Sequence, residues 1–316
     1  MYPFLLKPLY RDYIWGGNRL INEYNKVSNL ENIAESWELT DHKSGSNIIE
    51  NGEFKGKSLI EIINIYGDKI TGTNCNKFSY FPILVKLIDA RDDLSIQVHP
   101  DNEYALRAEG EFGKTEMWYI VDCQENAQLI FGFKNEVSKQ EFKERIKNNT
   151  LLEVANSVKV KKGDVFFITA GTLHAIGKGI IIAEIQQNSD LTYRVYDYNR
   201  VGVDGKSREL HINKALDVTC LTPNKIANFQ LETKKYEGYS IKNLSTCEYF
   251  TVDVLDIEKE AILIADETTF HHILALEGNF QINDLVINKG KSVFIPANLG
   301  KYSVVGKGKI ILTRVN

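Results

Sequence analysis

With 316 residues, 43% of them hydrophobic and 25% charged, the chain has an ordinary globular composition and enough length for about two domains. A disordered chain and a disulfide scaffold are both excluded. Its 38 Lys and Arg against 42 Asp and Glu leave a net charge of −4, without the basic excess of a phosphate-backbone binder, so no nucleic-acid partner is expected.

In chain order, the opening MYPFLLKPLYRDYIWGG breaks its apolar residues with Pro3, Lys7, Pro8, Arg11 and Asp12 and does not read as a signal peptide. No later run approaches the roughly 20 apolar residues of a membrane span. Lys57 to Tyr66 predicts a helix. From Lys77 onward the chain reads as short β-branched and aromatic runs separated by turn residues, among them FPILVKLI (81–88), EMWYIVD (116–122) and GIIIAEIQQ (179–187). Helices interrupt them at Asp101 to Glu109, where Asp101 is a potential N-cap, and near 138–148, where Ser138 and Glu141 have capping-box spacing. A further one runs from about Ile212 to Val218. The polar stretch 222–240 marks a domain boundary, giving a catalytic domain over 1–225 and a β domain over 226–316. Cys75, Cys123, Cys220 and Cys247 are scattered without C-x-x-C spacing, as expected of reduced thiols in a cytoplasmic protein.

One segment recurs. GDVFFITAGTLH (163–174) and GKSVFIPANLGK (290–301) share Gly, Phe-Ile and Ala in register without gaps. The spacing Gly-x5-Pro-x-Gly-x2-His is the second cupin motif. The first copy has Thr169 in place of Pro, and the second keeps Pro296 but has Lys301 where His174 stands. Aligning EMWYIVD with FHHILAL sets Phe270 opposite Glu116, so the second module is expected to lack metal ligands. The predicted fold is mainly β, two cupin-type antiparallel jelly-roll modules with a few short helices.

Within the first module, Gln97 and His99 are two apart on a predicted strand and share a face, as do Lys114 and Glu116; His174 ends the motif strand. Gln97, His99, Glu116 and His174 offer an amide oxygen, two imidazoles and a carboxylate, a set suited to Zn²⁺ or another borderline divalent ion. His42, His211, His271 and His272 are not assigned to the metal. Glu184, alone among apolar residues, is either a pairing or catalytic carboxylate or a solvent-facing edge residue. Arg194, with Tyr193 and Tyr196 on either side of it in TYRVYDY, offers a fork for an anion or developing oxyanion, or a salt bridge to Asp197. No Gly-rich phosphate loop is present, and Ser95, two before Gln97, is a candidate phosphate contact.

Taken in order, SIQVHPD, GKTEMWYI, AGTLHAIGKG and TYRVYDY, with AESWELTDH (34–42) and PLYRDYIWGG (8–17), resemble the type I mannose-6-phosphate isomerases in their short bacterial form. The resemblance runs from about residue 5 to 220 and more loosely to the end. It implies a cupin fold, one bound Zn²⁺ per chain, and interconversion of mannose 6-phosphate and fructose 6-phosphate, a small-molecule sugar phosphate being the partner. By motif, it implies Gln97, His99, Glu116 and His174 as metal ligands, Arg194 as the catalytic arginine and Lys114 as the lysine of the KPEM-like motif, with Thr115 where longer relatives have Pro. The helical insertion that longer members carry between the Glu and second His motifs is absent, since only residues 117–173 lie between. The isomerisation would move a proton between C2 and C1 through a cis-enediol, with Glu184 or Lys114 as the carrier. The alternatives are an oxygenase-type metal cupin, disfavoured by Gln97 where an H-x-H pattern would stand, and a non-catalytic sugar-binding cupin.

Overall fold

A computed structural model of the chain describes residues 1–202, 205–224 and 232–316. The chain forms two compact units. One contains Met1–Arg11, Asn18–Leu87 and the described part of Asn228–Asn316; the other contains Asp12–Gly17 and the described part of Ile88–Ala227. The boundary expected between 225 and 226 lies outside the described residues. The contiguous division into 1–225 and 226–316 is not how the chain partitions, because most of the first 87 residues belong with the C-terminal strands. The physical reason is the strand Phe4–Lys7, which pairs antiparallel with Ser292–Ile295 on one side and with Ile48–Ile49 on the other. Phe4, Leu6, Ile49 and Phe294 are fully buried, and the Phe4 and Phe294 rings stack at 6.0 Å. FLLK carries no local mark of the sheet it will join.

In this first unit a ten-stranded sheet runs in the order Thr233–Tyr236, Tyr239–Thr246, Thr251–Ile257, Gly300–Arg314, His271–Ile282, Ser292–Ile295, Phe4–Lys7 and Ile48–Ile49. Glu260–Ala265 and Leu285–Asn288 pair off that path. Its core is built on Leu255, Ile273, Val293, Ile295, Val304 and Leu312. The helix expected over 57–66 spans Leu59–Tyr66, since Ser58 caps it in a full capping box with Glu61.

The second unit contains two sets of antiparallel strands. One is a five-stranded sheet in the order Ala155–Lys159, Gln128–Phe133, His174–Ile176, Ile96–Val98 and Tyr193–Tyr196. Against it lie Val165–Ile168, Glu116–Cys123 and Ile180–Gln187, with Phe131 and Phe166 touching across the interior at 5.9 Å. All eight residues of Ile180–Gln187 are buried, which explains why this strand reads as a continuous apolar run. The helices Asn102–Glu109, Lys139–Lys147 and Ile212–Val218 fall where expected, the first two capped by Asp101 and Ser138.

The repeated segments share backbone geometry. Gly163 and Gly290 both have positive φ, +91° and +87°. Gly171 at φ 83° is matched by Asn298 at φ 62°, the residue type that most readily replaces glycine in the left-handed region. Ile168 pairs with Glu116, and Ile295 pairs with His271. The counterpart of Glu116 in the second module is therefore His271, one residue from the expected Phe270. The slip arises because Phe270 to Leu276 are all buried, so the run has no alternation between an apolar and a polar face to fix its register. His271 is hydrogen-bonded through Nδ1 to the Tyr302 hydroxyl at 2.7 Å.

Candidate metal centre

The site is assembled by strand register. His174 lies opposite Gln97, and Gln97 lies opposite Arg194, on three neighbouring strands, so the three side chains form a row on one face of the five-stranded sheet. His99 follows the end of the central strand of that row. From the facing sheet comes Glu116, the first residue of its strand, opposite Ile168 and Gln186. Two residues on, Trp118 shares its face and lies opposite Glu184.

These residues converge. His174 Nε2 lies 3.1 Å from His99 Nε2 and 3.3 Å from Glu116 Oε1, and His99 Nε2 lies 3.7 Å from Glu116 Oε2. The Gln97 amide reaches His174 Nε2 at 3.4 Å, and a half-turn of that amide brings Oε1 inward. Among the described residues, His99, Glu116 and His174 are the one group of three potential ligands whose donor atoms gather within 4.8 Å. All three are buried.

The protonation pattern follows from the backbone. His99 Nδ1 lies 2.7 Å from the Leu191 carbonyl oxygen, and His174 Nδ1 lies 2.8 Å from that of Thr172. A carbonyl only accepts, so each Nδ1 donates its hydrogen outward, and in the neutral form each ring turns an Nε2 lone pair inward. Burial first, and then the Lys114 charge, push His174 down to about 4 against the opposing Thr172 carbonyl and Glu184. Two lone pairs at 3.1 Å beside a carboxylate repel one another unless a cation lies among them. The donor set fits a divalent metal of the borderline class.

Next to this centre, Lys114 Nζ lies 2.8 Å from Glu116 Oε2 and 3.8 Å from Glu184 Oε1. The Trp118 indole N–H donates to Glu184 Oε2 at 2.8 Å. Lys114 and Glu184 are 4% and 3% exposed, so Glu184 is not the solvent-facing edge residue that the sequence also allowed. Gly113 delivers Lys114 to this position: a Cβ there would fall 2.3 Å from the Asp101 carbonyl carbon, and the Lys114 N–H donates to the Pro100 carbonyl at 3.0 Å.

Arg194 Nε donates to Ser95 Oγ at 3.2 Å and Nη1 to the Glu209 carbonyl at 3.0 Å. The salt bridge to Asp197 considered for it is made instead by Arg200 and Arg208. Of the other histidines, His42 stands in a two-residue ladder with Gly45, and His211 Nδ1 accepts the Arg194 N–H at 3.2 Å. His271 and His272 lie in the other unit. Trp118, the two orienting carbonyls and the Arg200–Asp197–Arg208 cluster escaped the sequence. Trp118 alone was signalled there, by its period-2 spacing from Glu116.

Residues 4–112 match the family model of the type I phosphomannose isomerase catalytic domain, and residues 240–315 match that of the mannose-6-phosphate isomerase cupin domain. The chain is 35% identical over 318 aligned residues to the mannose-6-phosphate isomerase ManA of Bacillus subtilis (strain 168), with 99% of each covered. It is 36% identical to the mannose-6-phosphate isomerase of Streptococcus mutans serotype c (strain ATCC 700610 / UA159), covering 99% of this chain and 98% of that one. The crystal structure of the mannose 6-phosphate isomerase from Bacillus subtilis matches with a TM-score of 0.91 at 35% identity over 99% of both chains. A zinc-bound mannose 6-phosphate isomerase shares the fold, with a TM-score of 0.80 at 16% identity over 99% of both chains. The fold is accordingly mainly β, two cupin-type antiparallel jelly-roll modules with a few short helices.

Proposed function

The chain belongs to the type I phosphomannose isomerases, and from that membership we propose a zinc-dependent aldose–ketose isomerase that interconverts mannose 6-phosphate and fructose 6-phosphate through a cis-enediol. The observation that carries it is the alignment of His174, Gln97 and Arg194 in one row, which sets a fixed positive charge beside the metal donors. Gln97, His99, Glu116 and His174 would hold one Zn²⁺ per chain, which supplies Lewis-acid polarisation of sugar oxygens when bound. Arg194 faces the negative charge that develops as the proton leaves C2. Lys114 and Glu184 are the proton-carrying pair: they are buried within ion-pair distance of one another, and Trp118 fixes the Glu184 carboxylate from its other oxygen. Ser95 and Arg194 contact the substrate. An oxygenase cupin would want a third imidazole where Gln97 stands. Free thiols suit the reducing cytoplasm as its compartment.

The test is turnover of mannose 6-phosphate by the purified chain before and after chelation, with Zn²⁺ then restored. Activity should vanish and return. Absence of turnover in zinc-loaded protein would overturn the reading.

A further inference from the structure

The residues just before Glu116 carry Lys114 into the site, and their backbone is gripped from two sides. On the side of His99, the Pro100 carbonyl accepts the Lys114 N–H at 3.0 Å and Asn102 Oδ1 accepts the Gly113 N–H at 2.9 Å. On the side of Glu184, the Gln187 N–H donates to the Thr115 carbonyl at 3.0 Å, and Gln187 Oε1 accepts the Thr115 N–H at 2.9 Å. Ser189 Oγ adds a bond to the Phe112 carbonyl at 2.9 Å. One side chain joins the two sides: Gln187 Nε2 donates to Asn102 Oδ1 at 3.1 Å. Gln187 is buried and stands one residue out of phase with Gln186 and three from Glu184, so on a strand it reaches to the other face.

The chemistry of this bridge calls for a carboxamide. The Thr115 N–H needs an acceptor, whereas Asn102 Oδ1, already taking the Gly113 N–H, needs a donor. Glutamine supplies both from one end group; a carboxylate lacks the donor and an ammonium lacks the acceptor. What the bridge holds is the peptide between Lys114 and Glu116. Lysine ends in a point charge on a flexible four-carbon stem, so the place of Nζ, 2.8 Å from Glu116 Oε2 and 3.8 Å from Glu184 Oε1, depends on how firmly the backbone at 113–115 is fixed. We propose that Gln187 is a positioning residue: by tying Thr115 to Asn102 from behind the strand, it holds Lys114 between the two carboxylates and keeps Glu116 aimed at the two imidazoles. The inference rests on the isomerase reading for the reaction that Lys114 serves, and on the hydrogen-bonded bridge alone for the geometry.

The test uses the zinc-loaded full chain and reads kcat and KM for mannose 6-phosphate together with the rate of zinc loss to a chelator. Gln187→Met keeps the length of the side chain and removes both of its hydrogen bonds. It should lower kcat by about 10–100-fold, the effect of a small misplacement at the reacting centre, and speed zinc loss by about tenfold. KM should stay within about threefold of native, because Ser95 and Arg194 are untouched. A residue that only stabilises the fold would lower Tm while kcat per zinc-loaded site and zinc loss stay native; that result overturns the proposal. Thr115→Pro takes away the N–H that Gln187 accepts, so adding Gln187→Met to it should cost less in kcat than Gln187→Met costs alone. An equal cost in both backgrounds overturns the bridge. Should Gln187→Met fail to fold, Asn102→Ala removes the far end of the bridge at the first residue of the helix Asn102–Glu109 and should likewise lower kcat at unchanged KM and speed zinc loss; native values in it overturn the proposal. Zinc loss is read without turnover, so an inactive native chain would sink the isomerase reading and leave the positioning role to be decided by the chelator rates.

Discussion

At the scale of single residues, the decisive feature is which nitrogen of each imidazole carries its proton. The types and spacing of Gln97, His99, Glu116 and His174 are legible in the sequence, because a strand's period of two and the Gly-to-His motif place them. The Leu191 and Thr172 carbonyls that orient the two rings are not, since every residue has a carbonyl and only the fold aims it. Arg194→Ala should lower kcat by about 10²–10³-fold, the usual effect of removing an electrostatic stabiliser, while zinc content stays at the native level; full turnover would remove Arg194 from the chemistry. Glu184→Gln keeps the size of the side chain and the contact to Trp118 but cannot carry a proton, and should cost about 10²–10⁴-fold in kcat, measured with mannose 6-phosphate saturating. At Asp197, burial raises the carboxyl, but hydrogen bonds from Arg208 and Arg200 outweigh it and hold it below its ordinary value. A depressed carboxyl contributes stability above its unfolded pKa and loses it as pH falls through the folded one. The Tm deficit of Asp197→Asn should therefore be full at neutral pH and shrink as pH is lowered to about 3; a pH-independent deficit would show that the ionised carboxylate is not what stabilises.

At the scale of elements, turns and registers decide whether those residues meet. Gly171 adopts φ +83°, and a Cβ there would sit 2.9 Å from the Val218 carbonyl oxygen. Its N–H donates to the His99 carbonyl at 2.8 Å, so the turn that leads into His174 is tied to the other histidine. Gly171→Ala should cost about 1–3 kcal/mol through left-handed strain and weaken zinc retention, read as a lower Tm together with faster loss of metal to a chelator. Gly171→Asn, which introduces the residue type that the second module already carries at Asn298, should be milder. Strands were legible here wherever one face is buried. Their pairing was less so: the apolar run FHHILAL tolerates a shift of one residue, and the hydrogen-bond ladder puts His271 where the pattern suggested Phe270. The capping box of Ser58 and Glu61 stood in the sequence as Ser-x-x-Glu, and fixes a helix start that apolar spacing alone placed two residues early.

At the scale of the whole molecule, the two-module plan was visible in the repeated Gly-to-His segment, whereas the membership of each unit was not. Hydrophobic alternation says which face of Phe4–Lys7 is buried and nothing about a partner almost the whole chain away. A fragment ending at residue 224 would leave Phe4 and Leu6 without the strand Ser292–Ile295, so the amides of Phe4–Lys7 should exchange freely with solvent in it; native-like protection of those amides would show that the early strands hold together on their own. The same pairing sets a schedule for biosynthesis. The strand Phe4–Lys7 waits for a partner encoded roughly 290 residues later, and at 5–20 residues per second that is about 15–60 s. During that interval an unpaired apolar edge is presented to the cell, so the nascent chain, rather than the finished enzyme, is where this fold most needs a chaperone.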